Sequence, residues 1–176
     1  PPQFHNDETY IVCVFFEEFR NFKQRDFLQI SKRYQALEIR IDRFINEGLN
    51  NNKNQEKSLG EMLSDIRKML AIIKFYSPRL PIIITLRSKA EGGNFSAATQ
   101  GKERETLQEI YKNLAKTFLV SYFDIELRYS KALSKLLNQP GSHRYIISRH
   151  YTQETPEDDV LKDFEKIQNI FKAELK

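Results

Sequence analysis

Charged residues suited to binding an anion or moving a proton follow an apolar run in the middle of the chain. Residues 80–86 are almost entirely apolar, Arg87 comes directly after them, and Glu91 lies four residues further on. Gly92 and Gly93 come next and permit a tight backbone turn. If the apolar run is a buried strand, a cation and a carboxylate stand together at its carboxyl end, where parallel α/β folds bind ligands. The same pattern also fits a strand that ends in a solvated charged loop.

Other segments carry candidate residues in similar places. These are Glu38 and Arg40, Asp124 and Glu126, and His150. Histidine titrates near neutrality, so His150 is suited to act as a general acid or base, although it could also be a hydrogen-bonded core residue. Glu38 and Arg40 alternate with apolar residues, so they would share one strand face and either line a polar cavity or form a structural ion pair. Asp124 and Glu126 fit structural and ligand-binding roles equally well.

Strand–helix units would have to position these residues. Apolar runs predict strands at 10–16, 35–42, 80–86, 122–127 and 144–150. Apolar residues at spacings of three and four predict helices at 27–34, 59–75, 103–118, 130–138 and 156–171. Repeated units of this kind form a parallel sheet with right-handed crossovers. No glycine-rich phosphate signature follows the first strand, and the candidates come from several strand ends, so a barrel is favoured over an open doubly wound sheet.

The composition indicates one soluble globular domain over residues 1–176. Of its 176 residues, 40% are hydrophobic and 30% charged, and no apolar run approaches the ~20 residues that span a bilayer. The formal charge of +4 is mixed with acidic residues along the predicted helices, which argues against a nucleic-acid partner. The lone cysteine, Cys13, suits a reducing compartment, so we expect a cytoplasmic location, and the histidines lack metal-ligand spacing. We predict a polar tail at 1–9 and an Asn-rich surface insertion at 47–57.

The motifs at successive strand ends jointly resemble the type I 3-dehydroquinate dehydratase family. Residues 37–42 are similar to its second-strand Glu-x-Arg-x-Asp pattern, and 84–93 to its third-strand Thr-x-Arg-x-x-x-Glu-Gly-Gly. Residues 124–127 resemble its fourth strand, and 147–150 its fifth-strand Ser-x-His, with Thr-Pro following at 155–156. Each pattern alone is weak, but together and in order they are specific, and the resemblance runs from about Tyr10 to the end of the chain.

The resemblance implies a (β/α)8 TIM barrel of the class I aldolase type. Eight units typically need ~250 residues, so this chain would supply about five of them. The implied activity is that of a Schiff-base hydro-lyase, which converts 3-dehydroquinate to 3-dehydroshikimate in the shikimate pathway of aromatic amino acid biosynthesis. The implied partners are the small-molecule substrate and a second copy of the chain in a homodimer, with no cofactor, metal, nucleic acid or membrane.

The family pattern also assigns roles to individual residues. His150 corresponds to the general acid–base, and Glu91 to the carboxylate that orients it. The Schiff-base lysine lies on the sixth strand of the family, after a run that residues 173–175 resemble, so Lys176 or the position after it corresponds to this lysine. The substrate-binding positions correspond to Glu38, Arg40 and Arg87. Without the lysine, we expect substrate binding but no turnover.

A non-catalytic barrel fragment is the alternative interpretation. Such a fragment would act as a binding or interaction module, since five strands leave two parallel edges that something must cover. A lysine on the sixth strand discriminates the enzyme from the module. In either case the open edges predict self-association.

Overall fold

The computed structural model describes residues 10–50, 58–96, 100–137 and 144–174. Within these ranges the strands are β1 (Ile11–Phe15), β2 (Ala36–Arg40), β3 (Ile82–Thr85), β4 (Tyr122–Glu126) and β5 (Arg144–Ser148). The α-helices in the same ranges are α1 (Gln24–Arg33), α2 (Asp42–Asn50), α3 (Leu59–Tyr76), α4 (Gln100–Ala115), α5 (Leu127–Leu137) and α6 (Glu157–Glu174). Short 3-10 helices cover Phe16–Asn21 and Lys89–Glu91.

The strands form one parallel sheet in chain order, β1-β2-β3-β4-β5. A doubly wound sheet reverses its strand order at a switch point, whereas here each strand lies beside its predecessor, as in a barrel wall. Cys13 lies opposite Glu38, and Arg40 lies in register with Thr85, which in turn faces Asp124. Since registered residues project to the same side, these side chains share one face of the sheet, which we call the polar face.

The opposite face of the sheet is apolar and carries the core. Leu37, Ile39, Ile84, Phe123 and Ile125 on the strands are buried in a single cluster. Each of the first five helices contributes buried side chains to the same cluster, among them Phe27, Ile45, Ile66, Ile110 and Leu133. Fully burying one such side chain stabilises the fold by about 1.5–3 kcal/mol. The helices therefore cover the apolar side of the sheet, and the polar face lies on the other side.

The second unit differs from its prediction in length and content. The strand predicted over 35–42 ends at Arg40, and Asp42 begins helix α2. The strict alternation of charged and apolar residues continues past the strand end, which is why the pattern could not mark it. Phe44 and Ile45 are buried on α2, so a short amphipathic helix occupies this position. Residues 47–50 of the predicted insertion belong to this helix, while 51–57 and the predicted tail at 1–9 lie outside the described residues.

Candidate active site

The polar face leads to a cluster of charged side chains at the carboxyl ends of β2, β3 and β4. Arg87 lies two residues past the end of β3, and its side chain is only 8% exposed. Its Nη2 atom is 2.8 Å from Asp124 Oδ2 and 4.0 Å from Glu38 Oε1. The Nε atom lies 3.9 Å from Glu126 Oε1. One buried guanidinium therefore stands among three carboxylates, which leaves a local excess of negative charge.

The loop that carries Arg87 is closed by two glycines with different requirements. Gly92 adopts a left-handed conformation with φ of 81°, which other residues rarely accept. Gly93 lies so close to the strand end that an added Cβ would stand 2.1 Å from the carbonyl oxygen of Arg87. The backbone N–H of Gly93 donates to the Ser88 carbonyl at 2.8 Å, which fixes the turn. The Gly-Gly pair thus brings Glu91 back toward the strand end.

Glu126 anchors this loop, while Asp124 holds the guanidinium. The Ser88 backbone N–H and hydroxyl donate to the two Glu126 carboxyl oxygens at 2.6 and 2.7 Å. Burial raises the pKa of Glu126, and the hydrogen bonds from Ser88 oppose that rise. Burial likewise raises the pKa of Asp124, against the opposing effects of the nearby Ser148 hydroxyl and the charge of Arg87. Both carboxyls contact the Arg87 loop directly, so each has a structural role whether or not it also meets a ligand.

Three buried polar atoms around Arg87 have no hydrogen-bond partner among the described residues. They are Thr85 Oγ1, Arg87 Nε and Asp124 Oδ1. Most buried polar groups in native proteins are paired, so a concentration of orphan atoms at one strand end calls for an explanation. Because they include a donor and an acceptor, they could hydrogen-bond the hydroxyl groups of a small ligand.

Arg40 is paired with Asp42, not with Glu38, which was its partner in the alternative ion-pair interpretation. Its Nε and Nη2 atoms donate to the two Asp42 carboxyl oxygens at 2.7 and 2.9 Å, so the structural ion pair is with Asp42 rather than Glu38. Asp42 also accepts hydrogen bonds from the Asn94 backbone and side chain at 2.9 and 3.0 Å. Burial alone would raise the pKa of Asp42, but these hydrogen bonds and the Arg40 charge hold it below its usual value. Arg40 therefore ends β2 with its guanidinium already hydrogen-bonded to Asp42.

Glu91 and His150 lie in contact at the ends of β3 and β5. His150 Nδ1 is 3.3 Å from Glu91 Oε2, and the His150 backbone N–H donates to the same oxygen at 2.9 Å. The Glu91 side chain is fully buried, whereas the His150 side chain is 41% exposed. The neighbouring Arg149 donates from Nη1 to Glu91 Oε1 at 2.7 Å. The imidazole is therefore tethered through one nitrogen and reachable from solvent, as a general base must be.

Lys176 and Cys13 are two further residues that bear on the chemistry of the site. Lys176 lies outside the described residues. Cys13 stands opposite Glu38 on the polar face, and burial together with that carboxylate raises the pKa of its thiol to about 11. A thiol with such a pKa is protonated at neutral pH and is a poor nucleophile.

Several residues that shape the site were not identified as such from the sequence. Ser88 and Asn94 act through backbone and side-chain hydrogen bonds to distant carboxylates, and no local pattern announces such contacts. Arg149 occupies the variable position of the Ser-x-His pattern, so nothing singled it out. Among the described residues, no group of histidine, cysteine and acidic side chains could hold a metal ion, and no helix is long and apolar enough to cross a membrane.

Comparisons with known proteins converge on one family. A family model described as type I 3-dehydroquinase matches residues 10–172. The pentafunctional AROM polypeptide of Lachancea thermotolerans is 30% identical over 145 residues, which are 82% of this chain and 8% of that protein. The corresponding polypeptide of Saccharomyces cerevisiae (strain YJM789) is 26% identical over 140 residues, 79% of this chain and 8% of that protein. The chain therefore spans only a small part of these curated relatives.

Solved structures agree with the fold. A type I 3-dehydroquinate dehydratase from Clostridium difficile matches with a TM-score of 0.66 and 21% identity, over 94% of this chain and 60% of that one. A 3-dehydroquinate dehydratase from Geobacillus kaustophilus matches with a TM-score of 0.64 and 20% identity, over 93% of this chain and 59% of that one. These matches confirm the predicted α/β barrel fold, and they also show that the chain covers about three-fifths of such a structure.

Proposed function

The chain belongs to the type I 3-dehydroquinase family, and from this membership we propose that it supplies most of the active site of a 3-dehydroquinate dehydratase. This hydro-lyase converts 3-dehydroquinate to 3-dehydroshikimate in the shikimate pathway and uses no cofactor or metal. The observation that carries the proposal is the contact between the buried Glu91 carboxylate and the exposed His150 imidazole at the carboxyl end of the sheet.

The proposed chemistry begins with a lysine outside the described residues. Its amine condenses with the substrate ketone, releasing water and forming an iminium that withdraws electrons from the neighbouring carbon. His150 removes the proton from that carbon, and the electrons of the broken C–H bond flow toward the iminium. The resulting imidazolium then protonates the departing hydroxyl group, which leaves as water. Water finally hydrolyses the product iminium, which releases 3-dehydroshikimate and restores the lysine amine. Lys176, or the position after it, is our candidate for the amine.

The charged cluster around Arg87 is proposed to bind the substrate. Arg87 Nη2 and Glu38 Oε1 lie 4.0 Å apart in this cluster. A guanidinium with an unpaired Nε–H and a carboxylate on a side chain that is 23% exposed can together hold neighbouring hydroxyl groups, one by donation and the other by acceptance. Arg40 is proposed to contribute positive charge at the rim, because Asp42 already accepts from its Nε and Nη2.

The test is borohydride trapping with 3-dehydroquinate, followed by mass spectrometry. It would be run on the chain alone and on a polypeptide extended through the three further strand–helix units of a full barrel. We expect dehydration and a lysine adduct in the extended polypeptide, and little or no turnover in the chain alone. His150→Ala should abolish dehydration, while an adduct on Lys176 of the short chain would identify that lysine and overturn the expected inactivity. Absence of both activity and adduct in the extended polypeptide would contradict the dehydratase assignment.

Exposed apolar side chains on α6 favour two further proposals about partners. Val160, Leu161 and Phe164 are 39%, 52% and 56% exposed, although they follow the helical spacing of a buried stripe. We propose that this strip takes part in a homodimer. If the lysine is absent, the same surface and the open sheet edges support the alternative of a non-catalytic interaction module.

A cytoplasmic location is also proposed, on the basis of the single cysteine.

A further inference from the structure

Arg149 touches the carboxylate that tethers His150, yet no step of the proposed chemistry uses it. We propose that Arg149 is a positioning residue that clamps Glu91 against His150 and ties both to helix α6. The catalytic consequence of this clamp rests on the proposed function, whereas its geometric consequence does not. The two can therefore be tested separately.

The two oxygens of Glu91 have separate tasks. Oε1 accepts from Arg149 Nη1 at 2.7 Å, and Oε2 accepts from the His150 backbone at 2.9 Å while lying 3.3 Å from Nδ1. A carboxylate with only one engaged oxygen could rotate about its last bond and turn both oxygens away from the ring nitrogen of His150. The guanidinium removes this freedom because it holds Oε1, so Oε2 stays with His150.

Arg149 is itself held from the other side by α6. Its Nε lies 3.3 Å from Asp163 Oδ2, which also accepts from the Tyr151 hydroxyl at 3.0 Å. The Asp163 Oδ1 atom accepts from Lys166 Nζ at 2.7 Å. Arginine presents its donors in a rigid planar fork, so one edge can hold Glu91 while the other holds Asp163. Docking of α6 and the orientation of the Glu91–His150 pair are thereby linked through one side chain.

The clamp has a consequence for the imidazole that can be observed directly. A carboxylate oxygen only accepts hydrogen bonds, so the neutral imidazole must carry its hydrogen on Nδ1 to bond Glu91. This tautomer leaves the lone pair on Nε2, the nitrogen available to remove a proton. If Glu91 were free to turn its carboxylate away from the imidazole, Nδ1–H would lose its acceptor, the other tautomer would become populated and the basic atom would be misplaced.

The first test measures the tautomer of His150 by long-range 1H–15N correlation in the chain with 15N-labelled histidine. We expect the Nδ1–H tautomer to dominate in the wild type and to give way to a mixture in Arg149→Gln. Arg149→Lys should restore part of the preference, because an ammonium can still contact Oε1. Arg144→Gln is the matched control, since it makes the same change at the other end of β5. A wild-type tautomer pattern in Arg149→Gln would overturn the proposal.

Asp163→Asn provides a second variant in case Arg149→Gln fails to fold. It leaves Arg149 in place and weakens its anchor on α6, so the tautomer preference should fall by less than in Arg149→Gln. Thermal unfolding identifies variants that are folded before they are compared. Suppose that folded Asp163→Asn shows an unchanged tautomer pattern and that Arg149→Lys gives no rescue. Neither the link to α6 nor the clamp on Glu91 would then stand.

The second test measures dehydration in the extended polypeptide. Arg149→Gln should lower kcat by about tenfold or more, with KM changed by less than about threefold, because a misplaced base impairs proton transfer rather than binding. Arg144→Gln should leave both constants unchanged. An active wild type with an equally active Arg149→Gln variant would contradict the positioning role, whereas an inactive wild type would contradict the proposed function and leave the tautomer result standing.

Discussion

At the scale of single residues, the site consists of charges that are held by other charges. Arg87 is surrounded by Asp124, Glu126 and Glu38, and Glu91 by Arg149 and His150. The proximity of Glu91 and His150 is predictable from the sequence, because parallel strands place their carboxyl ends at one edge of the sheet. The partner of Arg40 is not predictable in this way. It depends on where β2 ends and on the first turn of α2, which brings Asp42 back to the guanidinium.

Replacement of Gly93 tests the closeness of the loop to the strand end. An alanine Cβ at this position would meet the Arg87 carbonyl oxygen at 2.1 Å, and backbone atoms cannot move aside cheaply. We expect Gly93→Ala to lower the free energy of unfolding by about 2–4 kcal/mol, and to disturb the Arg87 loop. Urea unfolding measures the effect.

Gly101→Ala is the matched control for that variant. Gly101 lies in α4 and an added Cβ meets nothing within 4 Å, so alanine should stabilise the chain by about 0.5–1 kcal/mol through helix propensity. Equal effects of the two substitutions, in sign and size, would show that the steric argument for Gly93 is wrong.

Asp42 predicts a pH dependence with a definite sign. Its pKa is lowered in the folded chain, so its contribution to stability is fully present above the unfolded pKa near 3.9 and is lost as the pH falls through the folded value. Asp42→Asn leaves Arg40 with a neutral partner, and we expect a loss of about 3 kcal/mol at pH 7. At a pH of about 3 the difference from wild type should shrink, because the wild type then begins to lose the same interaction.

The measurement is urea unfolding of both proteins at the two pH values, with Asp158→Asn as the control. Asp158 lies exposed in the first turn of α6 and should give a small, nearly constant difference. A deficit of Asp42→Asn that grows on acidification would show that the carboxyl is not stabilised in its ionised form.

At the scale of elements, helix boundaries follow from capping and strand boundaries do not. The start of α3 at Leu59 is predictable, since Ser58 is a good N-cap residue, and its side chain accepts from the Glu61 backbone at 3.2 Å. The Glu61 carboxylate in turn accepts from the Ser58 backbone at 2.8 Å, which completes a capping box. No comparable signal marks the end of β2, so the sequence pattern extends that strand and conceals α2.

Ser58→Ala tests this cap. Loss of the hydroxyl leaves a donor of the first helical turn without its partner, and we expect the free energy of unfolding to fall by about 1 kcal/mol. Ser64→Ala, inside the same helix, is the control and should be neutral or stabilising by up to about 0.5 kcal/mol. A larger loss for Ser64→Ala than for Ser58→Ala in chemical unfolding would contradict the capping argument.

At the scale of the whole molecule, the described structure is one wall of a barrel whose inner face carries the polar side chains. The edge strands show this: Ile11 on β1 and Ile146 on β5 lie on the same side as the polar residues and are 48% and 37% exposed. The alternation of a strand predicts which side such residues face, but it does not say what covers them. Contacts with other surfaces decide what covers these residues, and the sequence pattern of one segment does not encode such contacts.

The apolar strip on α6 gives the predicted self-association of the chain a location. Stable dimers bury about 800 Å² per partner, and an exposed strip of large apolar side chains is the usual centre of such an interface. We expect concentration-dependent association of the chain in sedimentation velocity, with Phe164→Glu weakening it by at least about tenfold, since a carboxylate in a closed apolar interface is costly. Phe118→Glu is the matched control, because Phe118 is 88% exposed but follows α4 and is not part of α6. If both variants associate like the wild type, the α6 strip is not the interface, and a wild type that stays monomeric at high concentration would contradict the homodimer itself.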